Sequence, residues 1–101
     1  MQPTPTSDHR LAAKARVLSL IQALTAQSSE ALGPLIDECQ ALARAIEAFH
    51  MEGIRFRMYN VDRLLIRTDL PIPAEAAPLF TDARHELEAA GFHTRSHQAP
   101  G

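Results

Sequence analysis

The chain has 101 residues, a single cysteine, no tryptophan and a formal net charge of −2 at neutral pH. That length suits one domain, able to bury about two-thirds of the surface its unfolded form exposes and needing no disulfide staple. The charge gives no whole-protein pull toward nucleic acid or an anionic membrane, and a lone Cys39 excludes an internal disulfide and any Cys-Cys metal motif.

Residues 1–7 carry Pro3 and Pro5 among polar neighbours, have nothing to bury and read as a tail; 8–97 read as one domain and 98–101 as a second tail. The polar start, with no apolar run near the roughly 18 residues of a membrane span, predicts a cytoplasmic protein without a membrane partner. Ser7 or Asp8 is placed to cap a first helix reaching about Gln27, with Ala13, Val17, Leu20, Ile21 and Leu24 on one stripe. Arg10, Lys14 and Arg16 make its first half basic, at the end of the helix dipole that disfavours cations. A solvated face is the ordinary meaning of such a cluster.

Ser28, Ser29 and the Gly33-Pro34 pair interrupt the pattern. Proline is favoured in the first turn of a helix, so a second helix is predicted from Pro34, with Leu35, Ile36, Cys39, Leu42, Ala43, Ile46 and Phe49 at helical spacing through His50. Gly53 is placed to stop it. Cys39 lies on the buried stripe and reads as a small core hydrophobe rather than a reactive thiol. Asp37, Glu38, Glu47 and Glu52 make the outer face acidic, with Arg44 the one basic residue.

From Gly53 to Thr68 the pattern changes. Apolar residues alternate at Ile54, Phe56 and Met58 and again at Leu64 and Ile66, with Arg55, Arg57, Tyr59, Arg63 and Arg67 between them. Period two predicts a β-hairpin. A three-residue loop, Asn60-Val61-Asp62, pairs Met58 with Leu64 and Phe56 with Ile66 and keeps the arginines out of the core. Asp69-Leu70-Pro71-Ile72-Pro73 then leads out as an extended connection. A third helix begins near Ala74 or at Pro78 and runs to Ala90, with Leu79, Phe80, Ala83, Leu87 and Ala90 inward and Gly91 as its stop. Phe92 to His97 reads as a short closing strand. The predicted fold class is α+β, in the order α-α-β-β-α-β, with helices on one face of a small antiparallel sheet.

The hairpin's outer face gathers Arg55, Arg57, Tyr59, Arg63, Leu65 and Arg67, and the closing strand adds Arg95. Rigid guanidinium groups beside a ring suit an anionic ligand or single-stranded nucleic acid. The same residue types are enriched at the centres of protein interfaces. Because the acidic helices offer complementary charge, the leading expectation is a non-enzymatic protein-interaction or homodimerisation module. Binding of an anionic ligand or single-stranded nucleic acid on the same face is the alternative. A winged-helix reading fails on charge, since the helix that would enter the major groove carries four acids and one arginine.

No cofactor or metal is expected. His93 and His97 stand about 13 Å apart on a strand, too far for one ion. His85-Glu86-Leu87-Glu88-Ala89 begins like the zinc-protease helix signature but lacks its second histidine. No Gly-x-Ser-x-Gly elbow, phosphate-cradling glycine loop or nucleophile beside a base is present, so no enzyme is expected.

Overall fold

The structure, a computed structural model, describes residues 5–92. Its elements are α1 (Pro5–Thr25), a three-residue 3-10 helix (Glu30–Leu32), α2 (Gly33–Glu47), α3 (Met51–Leu65) and α4 (Ala76–Ala89). Among the described residues there is no strand, which overturns the α+β expectation and its sheet.

The stretch read as a hairpin is α3. Ile54, Met58 and Val61 are fully buried, and Leu65 packs against the same core, so the inward residues recur at four, three and four. Phe56 and Ile66, which the alternation placed inside, are 45% and 73% exposed. The misreading has a simple cause: a spacing of four fits two strand repeats as well as about one helical turn, so Ile54 and Met58 satisfy both patterns. Val61 decides between them. A hairpin puts it in the turn, whereas the helix puts it in the core. Asn60-Val61-Asp62 also lacks the glycine that a tight loop favours.

The first helix keeps its predicted stripe, with Ala13, Val17, Leu20 and Leu24 buried and Ile21 packed against them, although it begins at Pro5 rather than at a Ser7 or Asp8 cap. The second begins at Gly33 with Pro34 in its first turn and buries Leu35, Cys39, Leu42, Ala43 and Ile46. It stops at Glu47, short of the predicted His50, and Gly53 is not its stop.

The chain reverses between α2 and α3 over Ala48, Phe49 and His50. The Phe49 N–H donates to the Ile46 carbonyl at 3.1 Å and the His50 N–H to the Ala45 carbonyl at 3.0 Å. This is a Schellman cap, with Phe49 at the left-handed position, φ 61°. Phe49 is 57% exposed, not part of the buried stripe. His50 then caps α3, its Nδ1 accepting the Gly53 N–H at 2.8 Å, a bond that serine or aspartate usually supplies. Gly53 makes room for that bond, since a Cβ there would lie 2.7 Å from His50 Nδ1.

The fourth helix starts between the two predicted positions, with Pro78 in its first turn, and turns Phe80, Ala83 and Leu87 inward. Gly91 ends it as predicted, at φ 99°. Phe92 is buried and closes that cap instead of opening a strand; the rest of the predicted strand, Arg95 included, lies outside the described residues.

Packing order follows from side-chain pairs. α1 lies between α2 and α4, and α2 carries α3. Lys14 pairs with Glu47, while Arg10 Nη1 donates to the carbonyls of Ile46 and Glu47, so α1 and α2 run antiparallel. His9 to Glu86 and Arg16 to Asp82 make α1 and α4 antiparallel, and Arg57 to Glu38 does the same for α2 and α3. The result is an up-and-down helical bundle around one core. α3 and α4 meet where Arg84 Nη2 lies 4.0 Å from Asp62 Oδ1. The basic first half of α1 thereby gains a meaning. Arg10 and Lys14 sit at the carboxy-terminal end of the antiparallel α2, where the helix dipole favours cations.

Candidate functional site

Rolling the predicted hairpin into a helix redistributes its arginines. Arg55 turns to one flank of α3 and pairs with Glu52 at 3.1 Å; its Nε is buried without a partner among the described residues. Arg57 turns to the other flank and donates to both oxygens of Glu38 on α2, at 3.0 and 3.3 Å, with its guanidinium 5.0 Å from the Phe56 ring centre. Tyr59 and Arg63 share the outer face one turn apart, and the Arg63 guanidinium stands 5.6 Å from the Tyr59 ring centre. Arg67, just past the helix end, holds Asp69 through two hydrogen bonds. Leu65 leaves the set altogether, because it packs against the core rather than facing outward.

The structure thus brings Arg63 and Arg67 to one place, with Arg57 beside them through Glu38 and Tyr59 set against Arg63 on the outer face. It turns Arg55 to the opposite flank from Arg57, and it is Leu64 rather than Leu65 that lines the cleft beside them. Between α2 and the last turns of α3 lies a cleft of about 400 Å³ lined by Glu38, Asn60, Arg63, Leu64 and Arg67. Asn60 Nδ2 donates to Glu38 Oε1 at 3.2 Å, so Arg57 and Asn60 grip the same carboxylate. Neither Glu38 nor Asn60 belongs to the sequence-predicted site. The signal was available at helical spacing: Arg57, Asn60, Leu64 and Arg67 recur at three, four and three, a stripe bordering the apolar one.

Charge across this face is largely balanced within the chain. Arg55, Arg57 and Arg67 each hold a carboxylate. The hydrogen bonds from Arg67 hold the Asp69 carboxyl below the usual range and raise Arg67 in turn. Arg63 differs: among the described residues no carboxylate pairs with it, and its neighbour is the Tyr59 ring. Among the described residues it is the cation at the cleft that no carboxylate holds, which leaves it able to meet an incoming anion.

Cys39 offers no chemistry to the site. Burial pushes its thiol up to about 12, and the nearby Glu38 charge adds to the effect, so it stays a protonated core side chain. Among the described residues no group of His, Cys, Asp or Glu is placed to hold a metal ion, and no helix is long and apolar enough to cross a membrane. The chain matches no known family, no curated protein and no solved structure, so a functional reading rests on its own residues.

Proposed function

We propose that this chain is a small non-enzymatic protein-interaction module that docks a partner segment in the cleft between α2 and α3. The observation that carries the reading is Arg63, unpaired with any described carboxylate, beside an apolar floor at Leu64, with Phe56 exposed on the same helix and Ile66 exposed at its C-cap. The fitting occupant is a segment of another protein that brings a carboxylate to Arg63 and an apolar side chain onto Leu64. A charge-assisted bond and a buried apolar anchor together make a hot spot of the usual kind. A cytoplasmic setting suits a chain whose one thiol is buried and unpaired.

Nucleic acid fits less well. Phosphates would have to displace Glu38, Glu52 and Asp69 from Arg57, Arg55 and Arg67, which removes most of the counterion-release gain.

The test uses fluorescence anisotropy with three probes: an acidic peptide containing leucine and phenylalanine, the same peptide with those residues changed to serine, and an oligo-deoxythymidine. The mixed acidic and apolar peptide should bind tightest and lose about tenfold or more in affinity with Arg63→Glu. Equal binding of the serine peptide, tighter binding of the oligonucleotide, or no binding by any probe would overturn the proposal.

A further inference from the structure

The corner at Ala48–His50 separates two helices that otherwise have every reason to be one. No proline lies between Pro34 and Pro71, and the corner itself holds neither glycine nor proline. Ala48, Phe49 and Met51 are all residues that a helix accepts. At 3.6 residues per turn the buried side chains of both helices, from Leu35, Cys39, Leu42, Ala43 and Ile46 to Ile54, Met58 and Val61, fall within one half of the circumference of a continuous helix. Straightening the corner would give a single helix from Gly33 to Leu65, about 50 Å long, with its apolar side intact.

The bend is held from outside. Phe49 sits in the left-handed region at φ 61°, where a side chain is strained, and its ring lies 4.8 Å from the Arg10 guanidinium and 5.5 Å from the Phe92 ring. Arg10 also bonds the Ile46 and Glu47 carbonyls. His50 holds the other side through Gly53. α3 packs on α2 and α4 on α1, while α3 and α4 meet each other only slightly, so the contacts that hold the second half of the chain are nearly all made to the first half. A short strained connection between two such segments is the setting in which they exchange between copies.

We propose that Ala48–His50 is a hinge through which this chain exchanges α3 and α4 with a second copy of itself. In the exchanged dimer α2 and α3 are continuous, and the α1–α4 and α2–α3 contacts form between copies instead of within one. The helix-to-helix contacts of the bundle are kept and the left-handed Phe49 is released, while the corner contacts of Phe49 with Arg10 and Phe92 are lost.

Two substitutions bias the hinge in opposite directions. Met51→Pro places proline at the first helical position of α3, where it is favoured, after a His50 already in extended backbone at φ −98° and ψ 98°. In a continuous helix the same proline is interior and breaks it. Gly53→Ala removes the room for the His50 cap and improves the continuous helix. Exchange is read in chains carrying Arg16→Cys and Asp82→Cys with Cys39→Ser, treated with a short bis-maleimide; positions 16 and 82 face each other across α1 and α4, where the native side chains are 3.9 Å apart.

Each chain is refolded at low and at high protein concentration, sized by light scattering, cross-linked and run on a denaturing gel. High concentration should yield dimer whose cross-links join two chains. Gly53→Ala should raise the dimerisation constant by about tenfold or more and Met51→Pro should abolish the dimer. A dimer cross-linked only within chains is a pair of intact bundles and overturns the proposal, as does a dimer that survives Met51→Pro. Should Gly53→Ala fail to fold, the parent chain against Met51→Pro decides: monomer in both at every concentration overturns it.

Discussion

Two helices of this chain end in the same hydrogen-bond pattern, and only one of them ends in glycine. At the end of α4 the Gly91 N–H bonds the Glu88 carbonyl and the Phe92 N–H the Leu87 carbonyl, at 3.0 and 2.9 Å; at the end of α2 Phe49 and His50 make the equivalent bonds at 3.1 and 3.0 Å. Glycine reaches the left-handed position freely, whereas a side chain there costs about 1–2 kcal/mol. The α4 cap is therefore a property of its own few residues. The α2 cap is a property of the folded bundle, because Arg10 from α1 and Phe92 from beyond α4 must offset the strain.

Phe92 touches both corners, so truncating it has the largest expected effect. Phe92→Ala removes a buried ring that closes the α4 cap and packs against Phe49, and it should cost about 3 kcal/mol in urea unfolding. Amide exchange should quicken at Phe49 and His50 as well as at Gly91. Unchanged exchange at His50 would show that the α2 corner does not depend on Phe92. Gly91→Ala is the local counterpart. Nothing lies within 4 Å of the added Cβ, so the cost is conformational alone, about 1–2 kcal/mol, with exchange raised near Gly91 and unaltered at His50. A loss twice as large, or one felt at His50, would remove the distinction between the two corners.

The same contrast explains what the sequence makes legible. Gly91 announces its cap from composition alone, and the stripes Ala13, Val17, Leu20, Leu24 and Leu35, Cys39, Leu42, Ile46 announce α1 and α2. The α2 corner carries no such signal, since Phe49 is a poor local choice justified by Arg10 and Phe92, both distant in the chain. Gly53 then attracts the role of stop that Phe49 holds. With the helix ended in the wrong place, the ambiguous spacing of Ile54 and Met58 resolves to a strand, and the arginines are laid on a sheet that does not form. The candidate site suffers in proportion. Arg57, Arg63 and Arg67 are legible as candidates because charge survives any secondary structure, but their grouping on one face with Tyr59 is not, since a helix turns Tyr59 away from Arg57. Glu38 and Asn60 are not legible, because only a helix turns Asn60 toward α2.

The smallest effect separates the corners by pH. Glu47 is the last residue of α2, where the negative end of the helix dipole raises a carboxyl. The hydrogen bond from Lys14, with the Lys14 charge and then the Arg10 charge behind it, outweighs this and holds the Glu47 carboxyl below its ordinary value. A lowered carboxyl favours the folded state fully above its unfolded value, about 4.3, and that contribution is lost as pH falls through the lower folded value. The pair is exposed, so the change in stability is slight, and the sharper readout is local. In an NMR titration the Phe49 and His50 amide shifts should follow the Glu47 carboxyl midpoint, and Lys14→Met should move that midpoint upward. Gly91 and Phe92 should not share it, because the hydrogen bonds of their cap run to the Glu88 and Leu87 carbonyls and none involves Glu47. Should the Gly91 amide titrate with Glu47, the two corners are coupled through Phe92 more strongly than the geometry allows, and the α4 cap is not the local element that its glycine implies.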